Sequence, residues 1–302
     1  MNSLKQSFAT AALLTPFFIT LSTNPSLAVD PECRSLSLPS TITGRHQINS
    51  GDGCYKSPEA YIVKAYKLGL CPVGSNPLSS TSFDPSACSI VWQNSFGEEA
   101  NLVNSSGSAE SFTLDSTNAS KPPNGDYGFA FVVIDPTIKL KASLLLDGET
   151  WVTSTDYEST QSNPLSNTQY SWGKNTGSAS LAEIRTGYLE NTEGEVCYTD
   201  GIVVDNKTIH AAFLGTDEQT VVSKEDMLID GGGGSTNASC QASFIVGVQE
   251  LSTPISITDE TDTADISFLT THNGAWVESY VHGGDPKVQF DVGPFSLDMT
   301  VN

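Results

Sequence analysis

Two runs decide the fold. The first is Tyr61-Ile62-Val63-Lys64-Ala65-Tyr66-Lys67-Leu68-Gly69-Leu70-Cys71, and its return is Cys88-Ser89-Ile90-Val91-Trp92-Gln93-Asn94. Both are rich in the β-branched and aromatic residues that suit a pleated, half-buried surface. The segment between them is Pro-, Ser- and Asn-rich, with a cysteine at each end. That is the layout of a β-hairpin whose long loop is closed by a disulfide. In the chain-entropy picture such a closure stabilises by about 3 kcal/mol.

Working outward, the remaining chain repeats short strand-like runs and polar turns. Pro122-Pro123-Asn124-Gly125-Asp126 is a turn signal. It launches Tyr127-Gly128-Phe129-Ala130-Phe131-Val132-Val133-Ile134, which is apolar on both faces and therefore reads as a central, buried strand. The last run, Phe295-Ser296-Leu297-Asp298-Met299-Thr300-Val301-Asn302, alternates apolar and polar and reads as a half-buried strand. Residues 182–189 form the single modest helical candidate, weakened by Gly187. Residues 151–180 are polar and read as a long loop, a feature often functional in compact domains. The expected class is all-β: an elongated, antiparallel β-sandwich stapled by disulfides, with almost no helix.

The N-terminus carries one positive charge, Lys5, then an apolar run from Phe8 to Leu21 broken at Pro16, then Ser26-x-Ala28. This pattern predicts a secretory signal peptide over residues 1–28, cleaved after Ala28. The run is too short and interrupted to cross a hydrocarbon core of about 30 Å, and no later stretch is apolar enough to do so. Residues 29–302 read as one large β domain; the alternative is two β domains divided near residue 150 or near residues 231–235, where Gly231–Gly234 resembles a linker. The expected location is outside the cytoplasm: secreted, periplasmic or on the cell surface.

Six cysteines follow the leader: Cys33, Cys54, Cys71, Cys88, Cys197 and Cys240. An even number in an oxidising compartment points to disulfides. Spacing alone leaves the connectivity open; pairing of neighbours is the simplest expectation. The paired C-x₂-C spacing of a zinc site is missing.

The chain holds 14 Lys and Arg against 35 Asp and Glu, a net charge of −21. Nucleic acid and anionic membrane surfaces repel such a chain. No histidine among His46, His210, His272 and His282 falls in a metal spacing, and no G-x-S-x-G elbow occurs. Among so many acids, a chance pair of carboxylates at glycosidase distance carries no specificity. Asp259, Glu260, Asp262 and Asp265 gather in one stretch. They are the candidate ligands for Ca²⁺, set against the plainer reading of a solvated loop. No other cofactor is implied. Trp151, Tyr157, Tyr170 and Trp172 form a candidate stacking platform for glycans, because Tyr and Trp join a flat apolar face to a polar tip.

No motif names a reaction. The expected function is a secreted structural or interaction protein of the cell exterior, a surface, matrix or filament subunit whose partners are copies of itself or other extracellular proteins. It would assemble through strand edges, with Phe295, Leu297, Met299 and Val301 as the candidate assembly strand. The alternative is a carbohydrate-binding module using the aromatics, and the third reading is a secreted hydrolase.

Overall fold

A computed structural model describes residues 18–20, 33, 53–103, 116–146, 149–154, 171–173, 177–186, 189–191, 194–204, 206–222, 227–228, 239–270, 273–282 and 285–301. In chain order the strands begin with β1 (Phe18–Thr20), β2 (Gly53–Lys56), β3 (Ala60–Pro72), β4 (Ser89–Asn101), β5 (Gly125–Ile134), β6 (Thr137–Lys141) and β7 (Ser143–Leu146). Next come β8 (Glu149–Val152), β9 (Ser171–Trp172), β10 (Ala182–Arg185), β11 (Leu189–Asn191), β12 (Gly194–Val196), β13 (Tyr198–Val204) and β14 (Lys207–Leu214). The last are β15 (Met227–Leu228), β16 (Ser239–Cys240), β17 (Phe244–Ile257), β18 (Thr263–Leu269), β19 (Ala275–His282), β20 (Asp285–Val292) and β21 (Ser296–Val301). The described residues hold no α-helix; 3₁₀ turns form at Pro85–Ala87 and Ser116–Asn118. The fold is all-β.

The main sheet has eight strands in the order β10-β6-β3-β5-β17-β14-β13, with β4 added along β3. The hairpin read from the sequence is β3 and β4, and the disulfide Cys71–Cys88 closes its loop. β4 runs further than its first apolar stretch because Gly97, at φ 72°, carries the strand through an irregular register to Asn101. β5 lies between β3 and β17, as its two apolar faces require. Ala130, Val132 and Ile134 belong to one core cluster, while Phe131 and Val133 belong to another.

Those two clusters occupy the two faces of the main sheet. On one face, the loop within the Cys71–Cys88 bridge folds back as a cover. Phe83 is 1 % exposed and meets Phe131 edge-to-face at 5.1 Å. The loop is fastened to residues 217–221 by backbone bonds such as Phe83 N–H to Gln219 O at 2.7 Å. Asp217 orders that segment by accepting from the Gln219 and Thr220 N–H groups, and its bonds to Thr220 and Gln219 lower its pKa to about 2.

On the other face, two smaller sheets pack in a sandwich-like manner: β2-β19-β20-β9 and β1-β18-β21. Cys54, Val277, Val288, Phe290, Phe268 and Leu297 join the core cluster of the main sheet. A buried Gln249 on β17 fastens β21: its Nε2 donates to Leu297 O, and Leu297 N–H donates to its Oε1, both at 2.7 Å. An amide side chain thus takes the place of a neighbouring strand.

The three disulfides are Cys33–Cys54, Cys71–Cys88 and Cys197–Cys240, the neighbour pairing. No helix among the described residues is long and apolar enough to cross a membrane. Three disulfides suit an oxidising, extracytoplasmic compartment.

Two sequence expectations need correction. Residues 182–185 form strand β10, paired with β6, rather than the start of a helix. Ala182 and Ile184 are buried while Glu183 faces out, a period of two that the short run disguised. The stretch 151–180 is not wholly a loop: β8 pairs with β7, placing Trp151 opposite Leu144, and β9 pairs with β20. His282 ends strand β19. Phe18–Thr20, inside the segment read as a leader, pairs in parallel with Thr263–Asp265. The Gly231–Gly234 run lies outside the described residues.

Candidate functional site

The face of the main sheet that meets the smaller sheets is not filled. A cavity of about 190 Å³ lies there. Its floor is a row of cross-strand neighbours, Val132 on β5, Gly247 on β17 and Ala211 on β14. The central position of that row has no side chain. A Cβ built on Gly247 would find its nearest neighbour, Val132 Cγ1, at an ordinary 3.8 Å. Space therefore stands above Gly247 in the middle of a strand, where glycine weakens a sheet and often marks close approach by a ligand. Ile134, Ile209 and Ile245 surround the row and keep it apolar.

A second row comes from the smaller sheet. Tyr55 on β2, Trp276 on β19 and Asp291 on β20 are direct cross-strand partners, and all three line the cavity. The Tyr55 and Trp276 rings sit 4.7 Å apart at 59°. Gly53 permits this arrangement, since a Cβ there would lie 1.9 Å from the Trp276 ring. Tyr55 and Trp276 are half-buried and Asp291 is buried. Asp291 Oδ1 accepts from Val292 N–H at 2.7 Å.

The link from β20 to β21 closes one end. The Tyr61 hydroxyl, buried, donates to Gly293 O at 2.9 Å. Burial raises the Tyr61 pKa well above that of a free phenol, and the negative charge of Asp291 raises it further. Phe295 packs edge-to-face on Tyr61 and on Phe268, at 6.0 and 5.6 Å. The site is thus an apolar pocket with one carboxylate, one buried hydroxyl and an aromatic pair. That combination is the usual make-up of a small-molecule site.

No family model, no curated protein and no solved structure matches the chain. The reading of function rests on this geometry.

The residues singled out from the sequence lie elsewhere, apart from Phe295. Trp151 is 6 % exposed and belongs to the main core, so its face is not offered to a sugar. Trp172 sits in β9, while Tyr157 and Tyr170 lie outside the described residues. Asp259, Glu260 and Asp262 are exposed, and Asp259 Oδ1 accepts from Asn124 Nδ2 at 2.7 Å, tying two loops together. Asp265 lies on β18. Among the described residues, no three His, Cys, Asp or Glu side chains converge as metal ligands. Leu297, Met299 and Val301 turn inward on β21, whose ladder partner is β18 of the same chain. His210 Nδ1 lies 2.6 Å from Asp200 Oδ1, a paired strand histidine.

Sequence reasoning missed Gly247, Ala211, Tyr55, Trp276 and Asp291. One local signal was present: Gly247 interrupts the apolar run Phe244–Val248. The rest depends on two sheets meeting, and no local pattern reports that.

Proposed function

We propose that the mature chain is an exported binding protein that holds a small apolar ligand in the cavity between its sheets. The observation that carries this reading is the row Val132–Gly247–Ala211, a floor of small and apolar side chains beneath about 190 Å³ of space. Cavities of this order take up a single ring-sized apolar molecule. Disulfide staples and strong acidity suit a soluble protein outside the cytoplasm. Among the described lining residues Asp291 is the one carboxylate, so they do not supply the pair that glycoside hydrolysis uses.

The test is titration of the oxidised mature chain with neutral benzyl alcohol, read by methyl NMR. The methyl groups of Val132, Ile209 and Ile245 should shift saturably, and Gly247→Val should abolish the shifts. Wild-type spectra unmoved at millimolar ligand would overturn the reading.

A second reading, a structural subunit assembling through strand edges, is favoured by one observation. β21 is the last strand of its sheet, and beyond Leu297 only β18, on its inner side, pairs with it among the described residues. Removal of residues 1–28 would also open the β18 edge that Phe18–Thr20 covers. Proline is tolerated at an unpaired edge position. Met299→Pro should therefore abolish self-association in sedimentation runs while leaving the monomer folded. A mature wild-type chain that stays monomeric at high concentration would remove this reading.

A further inference from the structure

The cavity is long as well as small. On the main sheet its lining passes from Val132 on β5 to Gly247 on β17 and Ala211 on β14, which are direct cross-strand neighbours. It then moves two residues along β14 to Ile209 and crosses to that residue's partner on β13, Ile202. Four adjacent strands therefore carry the floor. Neighbouring strands lie about 4.8 Å apart, so the three steps from β5 to β13 cover about 14 Å.

Length and volume together set the width. A space of about 190 Å³ drawn out over about 14 Å has a mean cross-section of about 14 Å². Such a passage is about 4 Å across, and carbon atoms in contact sit about 3.5–4.0 Å apart. One file of carbon atoms matches it. A ring is broader than this in its own plane, and it finds room where the floor is lowest, above Gly247.

The surface of the floor agrees with this shape. Val132, Ala211, Ile209 and Ile202 are aliphatic and offer methyl groups, with no flat face for a ring to stack on. The rings of Tyr55 and Trp276 stand on the opposite wall, and they are tilted by 59° to each other, so they do not form one plane. Gly247 is the crossing point. A long side chain there would divide the β5 end of the floor from the β13 end.

We infer that the ligand is a single unbranched hydrocarbon chain, stretched between the sheets from Val132 to Ile202 across β17 and β14. This rests on the binding reading above and names its ligand class. The narrow passage selects against branches and against a second chain, and the glycine lets the chain cross β17 without leaving the floor.

The experiment compares neutral seven-carbon alcohols on the oxidised chain of residues 29–302, by calorimetric titration and methyl NMR: 1-heptanol, its branched isomer 2,4-dimethylpentan-3-ol, and benzyl alcohol. 1-Heptanol should bind about tenfold more tightly than its isomer, which overpacks the passage, and it should shift the methyl groups of both Val132 and Ile202. From 1-pentanol to 1-heptanol the affinity should rise about fourfold per carbon, the transfer of one methylene. Dihexanoylphosphatidylcholine, kept below its micelle concentration, carries two chains and should leave both methyl sets unmoved. Ile202→Trp closes the β13 end; it should weaken 1-heptanol about tenfold by overpacking, while benzyl alcohol keeps its affinity. The wild-type series needs no variant, so a folding failure of that substitution leaves the test intact. If the branched isomer binds as tightly as 1-heptanol, if 1-heptanol leaves Ile202 unmoved, or if the two-chain lipid binds best, the chain assignment falls and the binding reading stands. If no alcohol binds, both fall.

Discussion

Filling the hollow above Gly247 should make the protein more stable. Gly247 is not at positive φ, and an added Cβ would make its closest contact at 3.8 Å, so alanine fits without strain. One buried methyl contributes about 0.8 kcal/mol. Replacing glycine in a strand adds roughly 0.5–1 kcal/mol, because the unfolded chain loses conformational freedom. Gly247→Ala should then gain about 1–2 kcal/mol, or roughly 3–6 °C in Tm for a domain of this size. Thermal and urea denaturation of the oxidised chain of residues 29–302, followed by circular dichroism, measure it. The same variant should bind benzyl alcohol several-fold more weakly, since the methyl takes up ligand space. A Gly247→Ala variant less stable than wild type by about 1 kcal/mol or more, the size of the expected gain with its sign reversed, would refute the reasoning, because it would mean that the floor is already packed.

Three further outcomes follow from the same geometry. Cys71→Ala with Cys88→Ala should cost about 3 kcal/mol through the lost loop constraint and raise proteolysis between Pro77 and Ala87, where the cover over Phe131 loosens. Gln249→Leu removes both bonds to Leu297 and leaves a buried N–H and C=O unpaired, at a cost of about 1–3 kcal/mol; hydrogen exchange should speed up in β21 before it does in β5. Asp217 has a pKa lowered from 3.8 to about 2 by its bonds to Thr220 and Gln219. Its contribution is therefore present above pH 3.8 and lost as pH falls through about 2; Asp217→Ala should flatten that part of the acid-unfolding curve, and an unchanged curve would contradict this.

The local grammar of the chain was readable, and the assembled site was not. β5 shows two apolar faces, and it lies between two strands with a core cluster on each side. β21 alternates cleanly in sequence; Leu297 is buried in the core, and Met299 and Val301 pack half-buried against it. These patterns are legible because strand periodicity is local. Trp151 was misread as part of a platform because a polar neighbourhood in sequence conceals its pairing with Leu144. β10 imitated a helix because four residues are too few to separate the two periods. The cavity arises from positions as distant as Tyr55, Gly247 and Asp291, joined only by register across separate sheets.

The most direct test of the binding reading is a crystal structure of the oxidised chain of residues 29–302 soaked with benzyl alcohol. The account predicts ring density over Gly247, between Val132 and Ala211, with Trp276 and Asp291 at its polar end. A pocket filled by its own side chains, or a ligand bound elsewhere while this space stays closed, would contradict it.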